Sequence, residues 1–252
     1  MPVHTLRALT ALERTSQSNQ RLGCTLAFVA GAVNAGGFFA VGQYTSHMSG
    51  IVSSMGDQLA TGDLVLALAG LSSLGAFLGG AATSAILINW GRRREARSRF
   101  AIPLMFEAML LLCFGILGAN LERERLFYVP LTVDLLCFVM GLQNAMVTKI
   151  SRAEIRTTHV TGLVTDIGIE LGKLVYWNHR SPALPVVADR TRLSLLVSLF
   201  SMFFCGALAG AFGFKHLGFV VTVPLAFLLV LLAIVPIIDD LTDAGKSPDR
   251  VP

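Results

Sequence analysis

The spacing of the apolar residues limits the fold of this chain more than any other feature. They gather in six blocks of roughly twenty, at about 22–42, 64–90, 101–119, 128–148, 193–214 and 217–238, separated by short polar stretches. Twenty residues is the length at which a helix crosses about 30 Å of hydrocarbon. Lipid offers the backbone no hydrogen-bond partner, so such blocks must be helices or strands of a closed barrel. These blocks are continuously apolar rather than alternating, which argues against a barrel. Charged residues make up 14% of the chain, where a soluble domain carries about a quarter. The expectation is an all-α integral membrane protein with six transmembrane helices.

Two further segments, at about 44–61 and 156–175, have a helical pattern but many polar residues: the first contains TSHMSGIVSSMGDQL, the second TTHVTGLVTDIGIEL. Whether they cross decides the topology, and the basic residues arbitrate. If neither crosses and the N-terminus is cytoplasmic, only Arg123, Arg125 and Lys215 of the 20 lysines and arginines lie outside. If the first crossed, the arginine-rich loop GRRREARSR (91–99) would face outward. The basic residues, which give a net charge of +4, therefore read as topology signals rather than as a nucleic-acid surface. Trp90, Tyr176 and Trp177 fall at predicted cytoplasmic interfaces, Tyr44 and Tyr128 at outer ones, the depth that amphipathic rings prefer. Arg7, Arg14 and Arg21 before the first block imitate a signal peptide, but a block long enough to cross, followed by five more, predicts a retained span. The organisation is a cytoplasmic segment over 1–21, membrane units over 22–127 and 128–238, and a polar, disordered cytoplasmic tail over 239–252.

The chain repeats itself. Gly31-Ala32-Val33-Asn34-Ala35 matches Gly141-Leu142-Gln143-Asn144-Ala145, 110 residues later, and the twelve residues from Thr45 match those from Thr157, 112 later. Pro103-Leu104 and Pro224-Leu225 give a weaker match. Each half reads span, polar segment, span, span. Three crossings is an odd number, so the second half is expected to be inverted, as in many transporters and channels. The two polar segments are then re-entrant helices meeting near the midplane. The other reading, amphipathic helices lying on the membrane surface, lacks the basic face such helices carry.

The repeated motif carries the candidate site: Asn34, Thr45, Ser46, His47, Ser49 and Gly50 in the first half, and Asn144, Thr157, Thr158, His159, Thr161 and Gly162 in the second. Hydroxyls and imidazoles at a half-helix N-terminus, beside unpaired N–H groups and the positive end of the dipole, suit a small polar or anionic solute. Gly50 and Gly162 permit close approach or a local break. Asn34 and Asn144 either brace the re-entrant backbone or contact the solute. Glu107, Asp134, Asp166 and Glu170 are acids at membrane depth, hence candidates for proton coupling. The competing reading pairs them with nearby cations, above all Glu170 with Lys173. Cys24, Cys113, Cys137 and Cys205 sit singly in apolar blocks and read as small core residues, not as disulfides or a zinc site. The Gly75/Gly79, Gly206/Gly210 and Ala76/Gly80 pairs read as packing faces. No metal, cofactor or catalytic constellation is predicted.

The G-x-x-N-A stretches, the TSHMSG stretch and RTTHVTG (Arg156–Gly162) resemble the YoaK family of bacterial membrane proteins, a domain of unknown function, over roughly 22–238. Asn34 stands where that family often carries an acid, and Ser49-Gly50-Ile51 where it often carries Thr-Gly-Asn. The resemblance implies a multi-pass protein of the bacterial inner membrane and supplies no substrate. The residues themselves favour a small transporter or channel, with a non-transporting scaffold or assembly factor as the alternative. Six spans make a thin wall, compatible with a homo-oligomer in the bilayer.

Overall fold

A computed structural model describes residues 16–94, 98–121, 125–151, 157–178 and 185–244. The rest of the chain, including the N-terminal arginines 7 and 14, Arg156 of the second motif and the end of the tail, lies outside the described residues. Among the described residues there are eight α-helices and no strand. They are α1 (Ser16–Val41), α2 (Met48–Thr61), α3 (Leu64–Arg93), α4 (Ala101–Ala119), α5 (Arg125–Ile150), α6 (Val160–Val175), α7 (Arg190–Leu217) and α8 (Thr222–Ala244), with a 3-10 turn at Gly218–Val221 between the last two. Both polar segments, α2 and α6, are therefore helices.

Five stretches are long and apolar enough to cross a bilayer: Gln20–Val41, Leu64–Arg93, Ala101–Ala119, Tyr128–Ile150 and Arg190–Ile234. The last is 45 residues and is broken by the turn at Gly218, whose φ of +61° ends α7. These are the helices of a membrane-embedded protein. Their outward faces are apolar, with Val65, Leu68, Ile86, Ile116 and Phe227 among the exposed side chains. Trp90, Trp177, Tyr176 and Tyr44 are exposed near helix ends.

Local chemistry sets the boundaries. α2 stops at Gly62, which takes φ +82°, a left-handed conformation only glycine adopts without cost. The next residue, Asp63, caps α3 by accepting a hydrogen bond from the Leu66 N–H at 3.1 Å, the role expected of an N-cap aspartate. Asp189 caps α7 in the same way, accepting from the Arg192 N–H at 3.0 Å.

Each half is held mainly by the other. The most extensive packing joins α1 to α7, α3 to α5 and α4 to α8. At the first crossing a Cβ on Gly31 would overlap the Phe203 carbonyl, and one on Gly206 would overlap the Phe28 carbonyl. At the second, Gly141 meets the Phe77 carbonyl and Gly80 that of Phe138. So Phe28-x-x-Gly31 clasps Phe203-x-x-Gly206, and Phe138-x-x-Gly141 clasps Phe77-x-x-Gly80. The partners are 110 apart in α1 and α5 and 126 apart in α3 and α7. Bare backbone lets helices approach this closely. Residues 22–34 of α1 are also buried or half-buried in step with residues 132–144 of α5.

α8 runs on to Ala244, so the first residues of the expected tail are helical. Two expectations need correcting. Of the cysteines, Cys137 is buried but Cys113 and Cys205 are exposed; an outward face toward lipid is as apolar as a core, so hydropathy does not separate the two. Gly75 faces open space, so packing on α3 falls to Gly80.

Candidate functional site

α1 and α5 cross as an antiparallel pair: Gln143 donates to the Leu26 carbonyl at 3.3 Å, and Leu136 packs on Gly37. Each carries one asparagine of the repeat, and each asparagine tethers the start of a polar helix. The Asn34 Oδ1 accepts from the Ser46 hydroxyl at 2.9 Å and from the Ser46 N–H at 3.4 Å. The Asn144 Oδ1 accepts from the Thr158 hydroxyl at 2.7 Å, while its Nδ2 donates back to the Met140 carbonyl at 2.9 Å. Both amides thus brace the chain that enters α2 and α6.

The next residues also correspond. Thr45 and Thr157 are buried, and the hydroxyl oxygen of each has no hydrogen-bond partner among the described residues. His47 and His159 occupy the N-cap positions of α2 and α6 with closely similar backbone angles, φ/ψ −97°/70° and −83°/60°. Neither side chain caps its helix. Each imidazole instead folds over the glycine three residues on, where a Cβ on Gly50 or Gly162 would overlap the ring. The two glycines therefore make room for a histidine rather than for a neighbouring helix. Ser49 and Thr161 are exposed.

The two motifs are not packed on one another: α2 lies on α3, and α6 on α7. Gln143 sits opposite Leu26, which places Asn144 about eight residues, roughly 12 Å, from Asn34 along α1. The polar tips reach the α1–α5 pair at two levels, so the meeting point expected from the repeat becomes a crossing with one tip bound on each side of it.

Around these tips the halves differ. Beside α2 lies a cavity of about 490 Å³, walled by α2, α3 and α5. Its polar lining includes His47, Ser54, Gln58, Ser72, Ser73 and Asp134, with Gln43 and Tyr44 at the entry to α2. The Asp134 carboxylate accepts from the Ser72 hydroxyl at 2.5 Å and from Ser73 at 3.1 Å. The Gln58 amide donates to Ser54 at 3.0 Å, and its carbonyl oxygen has no partner among the described residues.

In the second half the residues matching Ser54, Gln58 and Leu66 are Asp166, Glu170 and Arg192, and they are paired. Arg192 meets Asp166 at 3.1 Å. Glu170 receives Lys173 at 2.8 Å and the Asp189 N–H at 2.9 Å. The Lys173 hydrogen bond first, then the Asp189 N–H, hold the Glu170 carboxyl below the usual carboxylate range against the opposing effect of its burial. Glu107 lies apart, wholly buried in α4, with neither oxygen hydrogen-bonded among the described residues. No group of histidine, cysteine and acidic residues among the described residues could hold a metal.

Sequence reasoning missed Ser72, Ser73 and Arg192. The serine pair interrupts an apolar helix, a signal that was present; Arg192 reads as one more topology charge until its contact is known. No curated protein and no solved structure matches the chain. A family model does, over residues 22–235. Nearly the whole membrane region is covered, and the chain belongs to the family described as "Protein of unknown function (DUF1275)", the uncharacterised family its motifs resemble.

Proposed function

We propose that this chain is a small transporter or channel for a polar solute in the bacterial inner membrane. It crosses six times as two inverted three-helix repeats, with both termini cytoplasmic and α2 and α6 entering from opposite sides. Contacts that exchange between the halves support the inversion: α1–α7 corresponds to α3–α5, and α4–α8 to itself. A 45-residue apolar stretch as one helix would be about 68 Å long, more than twice the hydrocarbon thickness, so α7 and α8 count as two spans. The proton-coupling role expected of four acids narrows to Glu107 and Asp134, since Asp166 and Glu170 are committed to cations.

The observation that carries the reading is one-sidedness. A polar cavity opens beside the first motif, while the matching positions of the second carry ion pairs. A cavity beside one motif and charge pairs at the matching positions of the other suit a molecule whose two halves take different states. The test is solute entry into liposomes containing the purified protein, followed by light scattering with urea, glycerol, methylammonium chloride and sodium acetate. At least one solute should enter faster than into protein-free liposomes, and His47→Ala with His159→Ala should slow it. Entry indistinguishable from protein-free liposomes for every solute removes the transport reading in favour of a scaffold; unchanged entry in the double variant removes the pathway.

A further inference from the structure

The helix N-termini suggest an anion, yet the chemistry of the cavity points the other way. Of the residues lining it, Asp134 alone is formally charged, and none is a lysine or arginine. The N-terminus of α2, which would attract an anion, is covered by the His47 ring. The remaining polar groups, which include Gln43, Tyr44, His47 and Ser54, can both donate and accept, so Asp134 sets the charge preference. A carboxylate has about four acceptor positions, and Ser72 and Ser73 use one on each oxygen of Asp134. Much of the rest of the wall is apolar, with Ile51, Leu66, Ala69, Val129 and Val133. A hydrated inorganic ion would find one carboxylate and much hydrocarbon. A molecule with a positively charged N–H head and a short alkyl body matches both parts.

We propose that the cavity beside Asp134 binds a small organic monocation of the alkylammonium class, its head hydrogen-bonded to Asp134 and its chain against the α2, α3 and α5 walls. The proposal rests on the transport reading and names the class of solute for it. The volume, about 490 Å³, lies within the range of small-molecule sites. Ser72 and Ser73 act as positioning residues: each holds one carboxylate oxygen and leaves the outer lone pairs to the ligand.

The test is binding by the purified full-length protein, followed as the rise in unfolding temperature with ligand concentration. The probes are butylammonium chloride, its neutral and anionic counterparts n-butanol and sodium butyrate, and sodium and potassium chloride at matched ionic strength. Butylammonium should give a saturable rise that the other four do not. Asp134→Asn should weaken it about tenfold or more, the scale of a lost hydrogen bond to a charged group. Ala69→Phe, which leaves Asp134 in place and fills the cavity, should remove it too, and decides the matter if Asp134→Asn does not fold. An equal rise with sodium or potassium, a rise with butyrate, or no saturable rise overturns the proposal. Binding without entry into liposomes upholds this site and removes the transport reading; entry of another solute without butylammonium binding does the reverse.

Discussion

Asn34 and Asn144 do equivalent work with different donors. One amide oxygen takes a serine hydroxyl and a backbone N–H, the other a threonine hydroxyl. Each fixes the stretch of chain that delivers a histidine to the first turn of a polar helix. Glu170 shows a different kind of commitment, with one oxygen on a lysine and the other on a backbone N–H. Its folded carboxyl is held below the ordinary range, so its contribution to stability is complete above the ordinary carboxylate value. That contribution is lost as pH falls through the lowered folded value. Unfolding temperatures measured from neutral to acid pH should therefore show Glu170→Gln below the parent near neutrality, with the gap closing toward the acid end. A gap constant across that range would show that the ionised carboxylate is not what stabilises the fold.

At the scale of elements, four glycines decide how closely the helices cross. Gly31, Gly80, Gly141 and Gly206 each face a carbonyl of the opposing helix, so no rotamer change can make room for a side chain. Gly141→Val should destabilise the protein by about 1–3 kcal/mol or more, the usual cost of overpacking. Gly75→Val, on the same kind of helix but facing open space, should cost no more than a surface change, within about 0.5 kcal/mol. Denaturant unfolding of the two variants checks the contrast, and equal losses would contradict the clasp. The ends set by Gly62, Asp63 and Asp189 are local chemistry that block length does not read. The helices themselves were legible to within about six residues, because apolar blocks of membrane-crossing length mark them. Which glycine served which crossing was not: Gly75/Gly79 carries the familiar spacing, but which face of α3 meets α5 is set by the opposite half, 60 or more residues away.

At the scale of the molecule, the proposed inverted arrangement predicts that the α2–α3 turn and the end of α6 face opposite compartments. Thr61 and Asn178 are both exposed. With the four native cysteines replaced, a membrane-impermeant thiol reagent added to intact cells should label Thr61→Cys and spare Asn178→Cys. Labelling of both, or only of the second, contradicts the topology. The repeat and the charge distribution made the two motifs legible in the sequence. The cavity was not, because Asp134 meets Ser72 and Ser73 across 62 and 61 residues and nothing local announces that meeting. The reciprocal packing has a consequence for synthesis. Because α1 closes on α7, α3 on α5 and α4 on α8, the first three spans enter the bilayer with their principal interfaces vacant. The longest wait is that of α1, which stays uncovered for more than a hundred residues of translation, on the order of ten seconds, before α7 arrives. During that interval the glycine-lined grooves of the first half are open to lipid and to proteases, so the nascent chain is most vulnerable at its midpoint. Quality control that recognises unassembled small-residue faces would meet this protein there, and the rate of elongation through α5–α7 governs how long that exposure lasts.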